Sequence, residues 1–223
     1  MLRYAVIFSF YLACMLFSSC TKVQDEHTVR FHEDGRKKPY VAILPVIDQS
    51  GAKIGWSLSD EFTDSLTQSL LKKNNFCLAS LEDPNQITTT LHEKQNLFDM
   101  NPLWMQKTLT PYEFVVFTEL IEHDIHPKPL KNRLWDKITP SCELSLSMRI
   151  RIFDLRHSEP TTILQEIVHQ SHLIPKPSAL HEQQPEKWKS MTFTVSAIGL
   201  AHSQLAKEIA TRIDEYILLA KSR

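Results

Sequence analysis

Glycine is nearly missing from this chain, with four residues in 223. Only Gly51 and Gly55 lie close together, and no Gly-Lys-Ser/Thr follows them. A loop that cradles phosphate needs glycines where backbone meets anion, so that class of nucleotide site is excluded. The Gly-x-Ser-x-Gly elbow of a serine hydrolase is missing for the same reason. Net charge is small too: 25 Lys and Arg stand against 26 Asp and Glu, a formal charge of −1. No overall field therefore draws the chain to nucleic acid or to an anionic surface. What remains is the composition of an ordinary folded protein, 42% hydrophobic and 23% charged.

The N-terminus is the most informative segment. Met1-Leu2-Arg3 makes a short positive start, and Tyr4 to Phe17 is apolar except for Ser9. A spanning helix needs about 20 apolar residues, so this shorter run has the length of a secretory core instead. Small residues Ser18 and Ser19 come next, then Cys20. Leu16-Phe17-Ser18-Ser19-Cys20 resembles a bacterial lipobox, with Phe17 where Leu is usual; Tyr11-Leu12-Ala13-Cys14 fits the pattern less well. The resemblance implies cleavage after Ser19, a diacylglyceryl thioether on Cys20 and a palmitate-type acyl group on its new amino end. Two or three chains would hold the protein permanently, at about 0.8 kcal/mol per buried methylene. An uncleaved anchor or a plain signal peptide is the alternative. Thr21, not Asp, follows the cysteine, which favours the outer over the inner membrane. The expected organisation is a signal peptide at 1–19, a polar flexible tether at 20–38 and one globular domain at 39–223, facing the periplasm.

Within the domain, Tyr40 to Ile47 reads as a buried strand containing one proline. Ser57 with Asp60 forms a capping-box pattern, and Leu58, Phe62, Leu66 and Leu70 mark one helix face. Phe76 to Ser80 is a short strand. Asp83-Pro84 opens a second helix that buries Ile87 and Leu91, and a short helix at Leu103 to Lys107 follows Pro102. Phe114 to Ile121 is a third strand. Leu144, Leu146, Met148, Ile150 and Ile152 alternate with Ser145, Ser147, Arg149 and Arg151, the pattern of a half-buried antiparallel strand. Ile163 to Ile174 returns as its hairpin partner. A last helix spans about Thr194 to Ala220, with Ile198, Leu205, Ile209, Ile213 and Ile217 inward. The order β-α-β-α-β-β-β-α predicts an α/β (α+β) domain: a mixed sheet of about five strands with helices packed on it.

This order resembles the periplasmic lipoproteins related to CsgG, LpoB and the N-terminal domain of TolB. The carrying phrases are Val41-Ala42-Ile43-Leu44-Pro45-Val46, Phe114-Val115-Val116-Phe117-Thr118-Glu119-Leu120 and Met148-Arg149-Ile150-Arg151-Ile152-Phe153-Asp154. His157-Ser158-Glu159-Pro160-Thr161 replaces the Thr-Gly turn usual there, and the paired membrane-inserting hairpins of a CsgG pore have no counterpart. The resemblance implies an accessory protein like LpoB, and the many histidines with few glycines suggest a chlamydial-type envelope lineage.

Candidate chemistry is sparse. His123/His126 and His169/His172 are spaced by three, but on strands such pairs point to opposite faces, so no metal site is expected. Asp60/Glu61 and Asp214/Glu215 read as solvated helix faces. Cys77 and Cys142 are two mature cysteines, read as buried thiols with a disulfide as the alternative. Arg149 and Arg151 share one sheet face, where they would meet solvent or a partner's carboxylates. Trp135 and Trp188 lie in polar, Pro-containing segments, where large aromatics serve either as interface anchors or as core residues folded back. No nucleophile, ligand set or cofactor motif converges. The expectation is a non-catalytic module, without cofactor, that binds an envelope protein and not nucleic acid; the LpoB resemblance implies cell-wall assembly as one such process. A subunit of an envelope secretion or transport assembly is the alternative, and an enzyme of unrecognised class is a third reading.

Overall fold

The computed structural model of the chain describes residues 30–79, 103–109, 111–127, 141–175 and 188–222. Its six strands are β1 (Tyr40–Ile43), β2 (Ile47–Asp48), β3 (Cys77–Leu78), β4 (Phe114–Pro127), β5 (Ser141–Asp154) and β6 (Thr161–Pro175). Four helices accompany them: α1 (Leu58–Lys73), α2 (Leu103–Thr108), α3 (Met191–Val195) and α4 (Ala197–Lys221). The sheet runs β3-β1-β4-β5-β6, with β2 also beside β4. β1 is parallel to β3 and β4, whereas β4, β5 and β6 are antiparallel. The expected mixed α/β architecture is therefore the observed one. The helix expected at residues 83–98 lies outside the described residues.

The opening strand is not continuous. Leu44 N–H gives β4 its last bond, to the Val116 carbonyl at 3.1 Å; the next N–H on that side, of Val46, turns to helix α1, and pairing resumes at Ile47. Helix α1 takes up the freed backbone: Val46 N–H donates to Thr63 Oγ1 at 2.8 Å, and Ser59 Oγ donates to the Val46 carbonyl. α1 starts where its capping pattern lies, with Asp60 N–H donating to Ser57 Oγ at 3.1 Å. It ends at Asn74, in the left-handed region at φ 55°. Residues 30–38, at the end of the segment read as a tether, form a tight turn with a Phe31–Lys37 bridge. Lys38 Nζ donates to Asn74 Oδ1 at 2.5 Å.

One sheet face packs against α1 and α4. Leu144, Leu146, Met148, Ile150 and Ile152 are fully buried there, opposite Phe62, Leu66, Leu205, Ile209 and Ile213. On the other face Ala42, Leu44, Val115, Phe117 and Phe153 meet Met105 and Leu109 near α2. Each fully buried side chain of this size contributes roughly 1.5–3 kcal/mol.

Two features depart from the pattern. The strand expected to stop at Ile121 continues to Pro127, because β5 supplies an equally long partner. Its register shifts between Leu120 and Glu122, a bulge at Ile121. The last helix is also not one rod. Ser196 ends α3 and caps α4, its hydroxyl accepting from Gly199 N–H at 3.0 Å. A Cβ on Gly199 would lie 2.0 Å from the Phe193 carbonyl oxygen, so only glycine permits this break.

Candidate functional site

Helix α1 buries Leu58, Phe62, Leu66 and Leu70, and Glu61 sits at i+3 from Leu58, on the edge of that stripe. In α4, His202 occupies the place in the apolar series between Ile198 and Leu205. Both side chains therefore enter the core. Glu61 is 2% exposed and His202 2%, with Glu61 Oε1 only 2.7 Å from His202 Nδ1. Trp56 Nε1–H donates to the other carboxylate oxygen at 2.6 Å. His202 Nε2 faces His123 Nε2 at 3.0 Å. Phe62 and Phe193 pack on the His202 ring, with centroids 5.1 and 5.9 Å away.

The bulge at Ile121 decides the third member. Leu120 faces the α1/α4 side, opposite Met148. Simple alternation would put His123 on the far face, whereas the extra residue pairs it with Leu146, on the core face. Burial and the neighbouring His202 push the His123 pKa down to about 4, so its ring is neutral at pH 7. The row then has a consistent proton assignment. His202 Nδ1–H donates to Glu61, and one proton lies between the two Nε2 atoms. The network clamps α4 to α1 and β4, with its terminal imidazole only 5% exposed.

Glu61 also borders a groove of about 530 Å³ between α1 and α4. Trp188, Lys189 and Phe193 line it together with Asp64, Lys72 and Lys207. Trp188 is half-buried, and Lys189 Nζ stands 4.5 Å from its ring centroid. Three lysines around an aromatic wall favour acidic or aromatic groups of a partner.

Several expectations need correction. Glu61 and Asp214 are not solvated. Each carboxylate pair splits, Asp60 and Glu215 pointing out while Glu61 and Asp214 are buried. Asp214 accepts from Asn75 Nδ2 at 2.9 Å and lies 3.5 Å from Lys73 Nζ, tying the end of α1 to α4. Arg149 is not simply a solvent-facing arginine: its Nη1 is 2.5 Å from Glu119, which is 3% exposed on that side chain. Arg151, on the same face, is half-buried. Cys77 and Cys142 are buried thiols, as expected: Cys77 lies level with the start of β4 and Cys142 pairs with Pro127 at its other end, on the order of 40 Å away along the strands, and no disulfide joins them. His126 and His169 are exposed and His172 is half-buried; His169 Nδ1 lies 2.8 Å from Ser147 Oγ. Among the described residues no three side chains are placed to hold a metal ion. Cys20 and Trp135 lie outside the described residues. No described helix is long and apolar enough to cross a membrane.

The sequence model of a family of unknown function, DUF7499, matches residues 27–221. The chain belongs to this family. No curated protein matches it. Among solved structures, the hypothetical protein CT253 from Chlamydia trachomatis is similar, with 26% identity and a TM-score of 0.60. That match covers 81% of this chain and 98% of the chlamydial one. Lipoprotein GNA1162 from Neisseria meningitidis matches at 11% identity and TM-score 0.40, over 78% of this chain and 99% of that one. The LpoB C-terminal domain from Salmonella enterica matches at 10% and 0.36, over 59% and 82%.

Proposed function

We propose that this family member is a lipid-anchored envelope protein whose domain works by binding another envelope protein, not by catalysis. The groove between α1 and α4 carries this reading, because it joins an aromatic wall, Trp188, to three lysines. The buried carboxylate–imidazole row behind it acts as a fastening for the groove's helices. Anchoring through Cys20 confines the domain to a membrane and raises its effective concentration for a partner there. An LpoB-like role, activating a cell-wall synthase from the outer membrane, is the concrete version suggested by the sequence resemblance. The second reading is a subunit of a secretion or transport assembly, favoured by the β6 edge, which has no partner strand among the described residues.

Two experiments test this. Cys20→Ala should abolish labelling by radioactive palmitate and release the protein from membranes; continued labelling would refute the anchor. A photo-crosslinking residue at Gln68 should capture one defined envelope protein, and Trp188→Ala with Lys207→Glu should prevent capture. Capture unchanged by both substitutions would refute the groove.

A further inference from the structure

Strand β6 is the end of the sheet, and among the described residues nothing pairs with its outer edge. Fifteen residues make it a long edge. Its pairing with β5 is regular from Leu164 to Pro175, the only register irregularity lying before Leu164. Exposed edges are usually blunted by lysines, bulges or internal prolines. Between Thr161 and Pro175 there is no Lys or Arg, and the one proline is terminal. The single carboxylate, Glu166, lies 3.4 Å from Arg212. Meanwhile Ile167 is 55% and Leu173 60% exposed, on the same strand face.

We propose that β6 pairs antiparallel with β6 of a second copy of this chain, about a two-fold axis at Gln170. In this register Ile167 faces Leu173 of the copy, and Leu173 faces its Ile167, so each exposed apolar side chain is covered once and the contact is made twice by symmetry. His169 meets Ser171, Val168 meets His172 and Glu166 meets Ile174, so no like charges oppose each other. The paired stretch is 166–174, ending before Pro175, which has no N–H to offer. Antiparallel pairing gives on average one backbone hydrogen bond per residue pair, about nine in all. With a net charge of −1, two copies repel each other little. The product is a continuous sheet through two domains. It leaves the α1/α4 groove open and does not depend on the function proposed for that groove.

The test uses the full-length protein in native membranes and in detergent. Gln170→Cys places a thiol opposite its own copy, with Cα atoms about 4.5–5.5 Å apart, inside disulfide range. Mild oxidation should give a covalent dimer. His169→Cys, offset by two residues from its copy, should not. Ile167→Lys with Leu173→Lys alters only exposed side chains, and circular dichroism should show an unchanged fold. In sedimentation that variant should dissociate at least about a hundredfold more readily, as like charges then line the contact. A wild-type chain that sediments as a monomer at micromolar concentrations would overturn the proposal. A dimer that survives the lysines and never crosslinks through residue 170 would overturn it equally.

Discussion

Glu61 and His202 are 141 residues apart in sequence, yet their side chains meet at 2.7 Å inside the core. A buried pair of this kind is a weak source of net stability, because both groups lose their hydration. Breaking it is costly, because one partner is then stranded.

His202→Leu should therefore destabilise the domain by roughly 3–5 kcal/mol, leaving Glu61 with Trp56 as its remaining described partner. Urea denaturation would measure this. Glu61→Gln combined with His202→Leu should cost less than the two single changes added together. Simple additivity would show that the residues do not act as a pair.

Acid should loosen the same network. His123 titrates at about 4 in the folded chain, against an ordinary value of 6.5. Between these values the unfolded chain binds more protons. The contribution is thus fully present above pH 6.5 and lost as pH falls toward 4, about 3 kcal/mol in total. Denaturation midpoints measured from pH 7.5 to 4 should fall, and His123→Phe should flatten that slope. An unchanged slope in the variant would place the acid sensitivity elsewhere.

Gly199→Ala is a small change with a large expected effect. The added methyl would meet the Phe193 carbonyl, so α3 must move away from α4. A cost of about 2–3 kcal/mol is expected from overpacking. Altered tryptophan emission should accompany it, since Phe193 packs on Trp56 at 5.1 Å. Unchanged stability and emission would mean that the break accommodates a side chain.

Arg149→Met should lower stability by about 2 kcal/mol, since Glu119 is left buried without that arginine. The partial exposure of Arg149 keeps this estimate below that for a fully buried pair. Glu119→Gln in the same chain should recover part of the loss. A variant as stable as wild type would return Arg149 to the role of a surface residue available to a partner.

Local chemistry made much of the fold legible. Ser57 and Asp60 marked the start of α1, and the alternation from Leu144 to Ile152 marked the buried face of β5, because these signals depend on neighbouring residues. The burial of Glu61 is hidden in the sequence because a carboxylate beside Asp60 resembles a solvated pair. Its i+3 spacing from Leu58 was the available clue. His202 left a similar clue, a polar residue at an apolar position of α4. Neither shows what the side chain meets. The gap between β1 and β2 falls at Pro45, which the sequence displays, whereas the break at Ser196 needed the close approach of Phe193 to Gly199.

By itself the sequence determined the element types, their order and the apolar faces, because periodicity and capping operate within one segment. It also carries the lipobox-like run to Cys20, which is a matter of local pattern alone. Only the tertiary structure decided that His123 reaches His202. That depends on one extra residue in β4, which reverses the direction of the side chains after it, and a bulge forms only against a partner strand. The place of β6 at the end of the sheet among the described residues was likewise decided by strand order, which long-range pairing sets.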